Sequence, residues 1–450
     1  MREWNGGAAG SRRAADRSGR GVRPDDPGAW LFARTTGGIR FGLERTEALL
    51  AGAGDPHRRF RALHVAGTNG KGSVCALCES ALRAAHPGRT IGMYTSPHLV
   101  SFTERIRIGG RPISVDRLAD AEARLRPEVE RLDATFFEAT TVLAFLCFAE
   151  AGVDLAVVEV GLGGRLDSTN LVAPLATAVT NVARDHVEYL GESLEEIAWE
   201  KAGIFKPGVP AVIGETAPGP REVLRRRAAE VGAPLTEVDA DRAVSDVRVD
   251  LDGTRFRLAS ERWGAREMRI PLIGAHQARN AALAAELLAV LPDDVRPPWE
   301  AVESGFAEAR WAGRMQVVRQ RGATWIFDVA HNPAGVAALA DALDSIDLPR
   351  PVVLIAAILA DKAWDAMLPP LLARADAAIL TVAQSAPANR RWDPEEVARA
   401  LDTQIPVRVI PDLASVVMRA KTMAPHGTIV VTGSVHTVGD ALAVLGVDVA

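Results

Sequence analysis

The segment HVAGTNGKGS, running from His64 to Ser73, is the strongest place for chemistry in this chain. A short apolar run at 62–66 reads as a strand, and helical sequence begins near Ser73. Between them lie Gly67, Thr68, Asn69, Gly70, Lys71 and Gly72. Glycines let backbone N–H groups approach phosphate oxygens closely, and a helix N-terminus adds positive potential. Lys71 can reach the terminal phosphates of a nucleotide, and Ser73 can offer a hydroxyl to Mg²⁺. The strict pattern GxxxxGK[ST] is broken, because Gly72 separates Lys71 from Ser73. A glycine-rich turn with a stray lysine would look similar. The strand before it and the helix after it make a variant phosphate loop the stronger reading.

Further titratable groups fall at predicted strand ends. Glu159 interrupts the apolar run 155–160 and precedes the turn Gly161-Leu162-Gly163-Gly164. A carboxylate at the C-terminal end of a strand faces the crevice where α/β folds bind ligands, and Glu159 there suits Mg²⁺. A solvated turn would not explain a carboxylate inside a buried strand. His186 closes NVARDH (181–186), again after a strand. As a metal or phosphate partner it stands level with the plainer reading, a surface His–Asp pair. Lys201 lies in WEKAGIFKPG (199–208), with Glu195, Glu196 and Glu200 just before it. The residues alone favour a surface salt bridge on a helix.

The elements that must position these groups alternate as in α/β proteins. Helices are predicted at 73–85, 135–150 and 276–291, and strands at 90–94, 155–160 and 176–181. Alternation at 246–260 around Asp252-Gly253 predicts a small antiparallel appendage. Prolines 292, 297 and 298 mark a boundary, and a second α/β series follows. Its predicted strands are 324–329, 352–357, 377–382, 407–410 and 428–431. The expected domains are 28–295 and 299–450, after a disordered extension at 1–27 that is rich in Gly, Arg and Ala.

Composition bounds the function. The chain has 450 residues, 48% hydrophobic and 24% charged, enough for two or three domains with full cores. A net charge of −5 gives no reason to expect nucleic acid or membrane as a partner. No apolar run is long enough to span a bilayer, and the N-terminus lacks the apolar core of a secretory signal. Three cysteines are too few for a disulfide framework. Cys75 and Cys78 form a CxxC, which we read as small core residues of one helix. A cytoplasmic enzyme is the expectation.

Taken together the motifs resemble one family, the folylpolyglutamate synthases and dihydrofolate synthases of the Mur ligase superfamily. The phosphate loop is joined by TSPHL (95–99), FTERIRI (102–108), FFEATT (136–141), EVGLGGRLDSTN (159–170) and NVARDHVEYLG (181–191). EKAGIFKPG, HQARNA (276–281), WAGR (311–314), DVAHNP (328–333), ADK (360–362) and TGSVHTVGD (432–440) complete the set in the family's order. Gly72, which breaks the strict loop pattern, is what this family has. The first 36 or so residues have no counterpart, and His436 and Asp440 receive no role.

The resemblance implies an N-terminal P-loop ATPase domain of Mur ligase type and a smaller C-terminal Rossmann-like α/β domain, with ATP between them. It implies phosphorylation of a substrate carboxylate and attack on the acyl phosphate by the amine of L-glutamate. The acceptor would be dihydropteroate, the glutamate tail of reduced folates, or both, in a monomeric enzyme. Carried over by position, Ser73 and Glu159 look like ligands of the Mg²⁺ on ATP. Ser96, Glu159 and His186 look like the surroundings of a second Mg²⁺, and Lys201 matches a lysine that is carbamylated. Asn280 and Arg314 match contacts to the ATP phosphates, and Asp328 and His331 match contacts to the nucleoside. Phe137 and Thr140 lie in a segment similar to the pterin-side pocket. A ligase for cell-wall nucleotide peptides would need a further N-terminal domain, and the loop starts too early for one. A nucleotide-binding scaffold with lost chemistry would not keep Ser73, Glu159, His186 and Lys201 together.

Overall fold

The computed structural model describes residues 28–32, 34, 40–320 and 322–449, so the expected extension at 1–27 lies outside the described residues. Two mixed, mainly parallel sheets organise the chain. The first contains β1 (Arg61–Ala66), β2 (Ile91–Tyr94), β3 (Ile106–Ile108), β4 (Arg111–Pro112), β5 (Leu155–Glu159), β6 (Pro174–Val179), β7 (Ala211–Ile213) and β8 (Leu235–Glu237). Their order is β4-β3-β2-β5-β1-β6-β7-β8, antiparallel only where β3 meets β2 and β4. Strands buried on both faces read as continuous apolar runs, and every residue of β5 is buried. Leu63 and Val65 pack toward the helices Lys71–Ala85, Ala275–Ala289 and Trp299–Glu308, whereas Ala62 and Val158 pack toward the helix Phe136–Glu150. Register sets Glu159 opposite Val65, so the end of β5 stands beside the strand that feeds the phosphate loop.

A three-stranded antiparallel sheet follows: β9 (Val244–Asp250), β10 (Gly253–Ser260) and β11 (Gly264–Ile270). The expected hairpin therefore gains a third strand, β11, whose polar sequence hid it. The last sheet contains β12 (Gln316–Gln320), β13 (Ala323–Phe327), β14 (Val352–Ala356), β15 (Ala377–Leu380), β16 (Val407–Val409) and β17 (Thr428–Thr432). Its order is β12-β13-β17-β14-β15-β16, with β12 the antiparallel edge. Trp299, Val302 and Phe306 pack into the core of the first sheet, and from Met315 onward the chain packs into that of the last, which Ile273 also joins. The helix Trp299–Glu308, which follows the prolines at 297 and 298, therefore packs with the first sheet.

Cys75 and Cys78 are buried on the helix Lys71–Ala85, as their small-residue setting predicted. Burial raises both thiols well above the ordinary range. Since the thiolate is the nucleophile, iodoacetamide should leave both unlabelled in the native protein and label them once it is unfolded. Labelling within minutes under native conditions would contradict the buried reading. No helix among the described residues is long and apolar enough to cross a membrane.

Candidate active site

β1 ends at Ala66, and the loop that follows turns on Gly67 (φ +145°) and Gly70 (φ +84°), the latter capping the helix Lys71–Ala85. Both glycines are required twice over. The backbone there is left-handed, and an added Cβ would meet Thr180 Oγ1 at 1.8 Å or Asn280 Oδ1 at 2.6 Å. Gly72 has a different reason. A Cβ there would meet Trp311 Nε1 at 2.6 Å, so the extra glycine lets the chain leading into the last sheet lie against the loop. Thr180 Oγ1 and Asn181 Nδ2 both donate to the Asn69 carbonyl, at 2.6 and 3.1 Å, which pins the loop to the end of β6. Lys71 Nζ folds back to donate to the carbonyls of Gly67 and Thr68, each at 3.0 Å.

Around the loop stand the groups suited to a cation. Glu159 is buried and accepts from the Ser96 N–H at 3.0 Å. Burial pushes its carboxyl up, and Lys71, the Ser96 N–H and Arg314 pull it back. Ser73 is buried with no hydrogen-bond partner for Oγ. A buried hydroxyl left unpaired is costly, and a cation beside Glu159 would satisfy both groups. Among the described residues no three His, Cys, Asp or Glu side chains cluster to hold a metal. His186 adopts φ +51°, and burial lowers its pKa against the pull of Asp185, which favours the neutral ring with one nitrogen able to offer a lone pair.

Lys201 departs from the salt bridge that its neighbours suggested. It is 3% exposed, and among the described residues no carboxylate pairs with it. Glu200 pairs instead with Arg165 at 2.8 Å. Burial, helped by Lys71, lowers the Lys201 amine to about 7.

The last sheet contributes the opposite wall. Arg314 lies between Gly313 (φ +70°) and Met315 (φ +47°), in a loop held by Asp328, which accepts from the N–H groups of Met315 and Ala330, each at 2.9 Å. Asp328 is thus buried, and these two bonds hold the loop that carries Arg314. His331 and Lys362 both reach Asp185, at 3.3 and 2.6 Å. Burial would raise Asp185, but the His331 hydrogen bond and the charges of His186, His331 and Lys362 hold it well below the usual carboxylate range.

One cavity gathers Gly67, Thr68, Asn69, Gly70, Lys71, Ser96, Glu159, His186, Lys201, Arg314 and His331. A second, adjoining it at Asn69 and Gly70, is lined by Asn280, His276 and Arg279. Phe137 is half-buried, its ring over Gly161 at the cavity's edge. Thr140 is fully buried, and its hydroxyl donates to the Phe136 carbonyl at 2.7 Å. Asp185, Asn332 and Lys362 were quoted in motifs but given no role; only their meeting in space discloses one.

The chain is similar to known proteins over most of its length. Residues 65–288 match the Mur ligase middle domain, and residues 313–435 match the Mur ligase glutamate ligase domain. The dihydrofolate synthase/folylpolyglutamate synthase of Bacillus subtilis is 35% identical over 433 residues, covering 92% of this chain and 97% of its own. That of Mycobacterium tuberculosis is 34% identical over 443 residues, covering 90% of each. Among solved structures, the M. tuberculosis folylpolyglutamate synthase complexed with ADP superposes with a TM-score of 0.83 at 34% identity, over 94% of this chain and 98% of that one. E. coli FolC in complex with DHPP and ADP gives 0.82 at 31% identity, with the same coverage.

Proposed function

The chain belongs to the dihydrofolate synthase/folylpolyglutamate synthase family of Mur ligases, and on that premise we propose that it adds L-glutamate both to dihydropteroate and to the glutamate tail of reduced folates. It is an ATP-dependent carboxylate–amine ligase. The observation that carries the reading is the single cavity in which the phosphate loop, Glu159, Arg314 and His331 meet.

A carboxylate resists attack, because its charge repels the amine and oxide leaves poorly. Transfer of the γ-phosphoryl group of ATP to it releases ADP and gives an acyl phosphate. The glutamate amine then attacks the carbonyl carbon, phosphate departs, and the nitrogen loses a proton. Lys71 and Arg314 lie where they can neutralise charge on the transferred group, the main demand of phosphoryl transfer. The walls supplied by both sheets keep water from the acyl phosphate. Ser73 and Glu159 would hold one Mg²⁺, and Ser96, Glu159 and His186 a second. When bound, Mg²⁺ supplies the remaining positive charge on the phosphates. A carbamate on Lys201 would add an anion beside these groups.

Asn280 takes the nucleotide side and Phe137 the folate side. The ATP-binding domain then ends with the helix Trp299–Glu308, and the glutamate-ligase domain follows. One chain completes the cleft, in keeping with a monomer. Three buried free thiols suit the cytoplasm, where ATP and glutamate are at hand. The test is ADP release with ATP, Mg²⁺ and L-glutamate, run separately with dihydropteroate and with tetrahydrofolate. Turnover is expected on both. Turnover on one narrows the enzyme to a single activity. Activity only on a UDP-linked peptide would overturn the folate reading.

A further inference from the structure

Asp185 has more partners across the cleft than any role above uses. It lies between β6 and the short helix Val187–Leu190, on the phosphate-loop side. Its Oδ1 takes Lys362 Nζ at 2.6 Å, and its Oδ2 takes Asn332 Nδ2 at 3.1 Å and lies 3.3 Å from His331 Nε2. All three partners belong to loops of the last sheet, after β13 and β14. The side chains of Asp185 and Lys362 are only 8% and 11% exposed, so the pair is largely desolvated and little screened by salt. Asn332 carries the contact onward. It exchanges two amide hydrogen bonds with Asn69 of the phosphate loop, at 3.1 and 3.3 Å, and caps the helix Pro333–Asp344 through the Gly335 N–H at 2.8 Å.

Resting on the ligase reading above, we propose that Asp185 is a positioning residue, a latch that docks Lys362, His331 and Asn332 of the second domain against the phosphate loop. Removing its charge frees these groups to shift while the bonds from Thr180 and Asn181 still hold the phosphate loop in place. A displacement of about 1 Å at a reacting site costs on the order of 100-fold in rate. The latch therefore acts chiefly on the second substrate and on kcat, while the phosphate loop keeps its grip on the phosphates of ADP.

The experiment compares Asp185→Asn, Lys362→Met and the double variant with the wild type. Three quantities are followed: ADP affinity by calorimetry, kcat and KM for L-glutamate with tetrahydrofolate, and amide exchange at Asn332–Gly335. Each single variant should bind ADP within about threefold of wild type, lose about 100-fold in kcat, and exchange faster at Asn332–Gly335. The double variant should be no worse than either single, because partners in one contact are non-additive. Additive losses in the double, or wild-type kcat in Lys362→Met, would overturn the latch. Should Asp185→Asn fail to bind ADP, Lys362→Met decides alone, since it alters only the second domain's half of the contact. Absence of turnover in the wild type would count against the ligase reading. The exchange rates would still judge the latch: unchanged exchange in both variants removes it.

Discussion

Alanine in place of Lys71 should lower ADP release by about 10³-fold or more, the scale of removing a cation that stabilises phosphoryl transfer. The protein should still fold. Lys71 Nζ bonds only to the carbonyls of Gly67 and Thr68, and it is not part of the apolar cores. Losing those two part-buried bonds costs on the order of 1 kcal/mol, a few degrees in melting temperature at most. Lys71 is also the first of the charges that pull down the buried Glu159 carboxyl, so its loss leaves that group harder to ionise. Arginine should not restore activity, because its planar fork cannot replace a compact ammonium against the loop carbonyls. Near-normal ADP release by Lys71→Ala, in a protein with a native melting curve, would falsify the phosphate-loop assignment.

Much of this site was legible because its parts are local. The phosphate loop announces itself through a strand, three glycines and a helix within about a dozen residues, and Glu159 through a carboxylate inside an apolar run. The burial of Lys201 was missed for want of a helical phase. Ile197, Ala198, Lys201 and Ala202 are the buried positions of the helix Leu194–Ala202, and they place Lys201 on the inner stripe. Attention to Glu195, Glu196 and Glu200 obscured that spacing. The burial of Thr140 was likewise not legible, since its helix is buried over most of its length and shows no polar face. The prolines behind the division expected at 295–299 mark turns, and Trp299, Val302 and Phe306 carry the apolar core of the first sheet past them. Asp185, Asn332 and Lys362 meet across more than a hundred residues of chain, a pairing that no local pattern encodes.

Lys201 should form a carbamate, and Lys201→Ala should lose at least about 100-fold in activity, with partial recovery on adding formate or acetate. The chemistry needs a neutral amine to attack CO₂, forming an N–C bond and releasing a proton. A free lysine is almost wholly protonated at neutral pH. With its amine lowered to about 7, Lys201 offers roughly a thousandfold more free base. Its pocket then holds Lys71 near enough to lower that amine further and to stabilise the anion once formed. The sign of the linkage gives an independent check. In CO₂-depleted buffer the unfolded chain keeps the Lys201 proton up to about pH 10.5, while the folded chain gives it up near 7. Between those values the unfolded state binds more protons, so stability rises with pH, and the full penalty of the buried amine is present below 7. Lys201→Met removes that penalty. Its melting advantage over wild type should therefore be greatest at pH 6 to 7 and shrink toward pH 10. Bicarbonate should raise the wild-type melting temperature near pH 8 and leave the variant unchanged. Parallel melting curves for the two proteins across this range, together with full wild-type activity in CO₂-depleted buffer, would leave Lys201 an ordinary buried lysine.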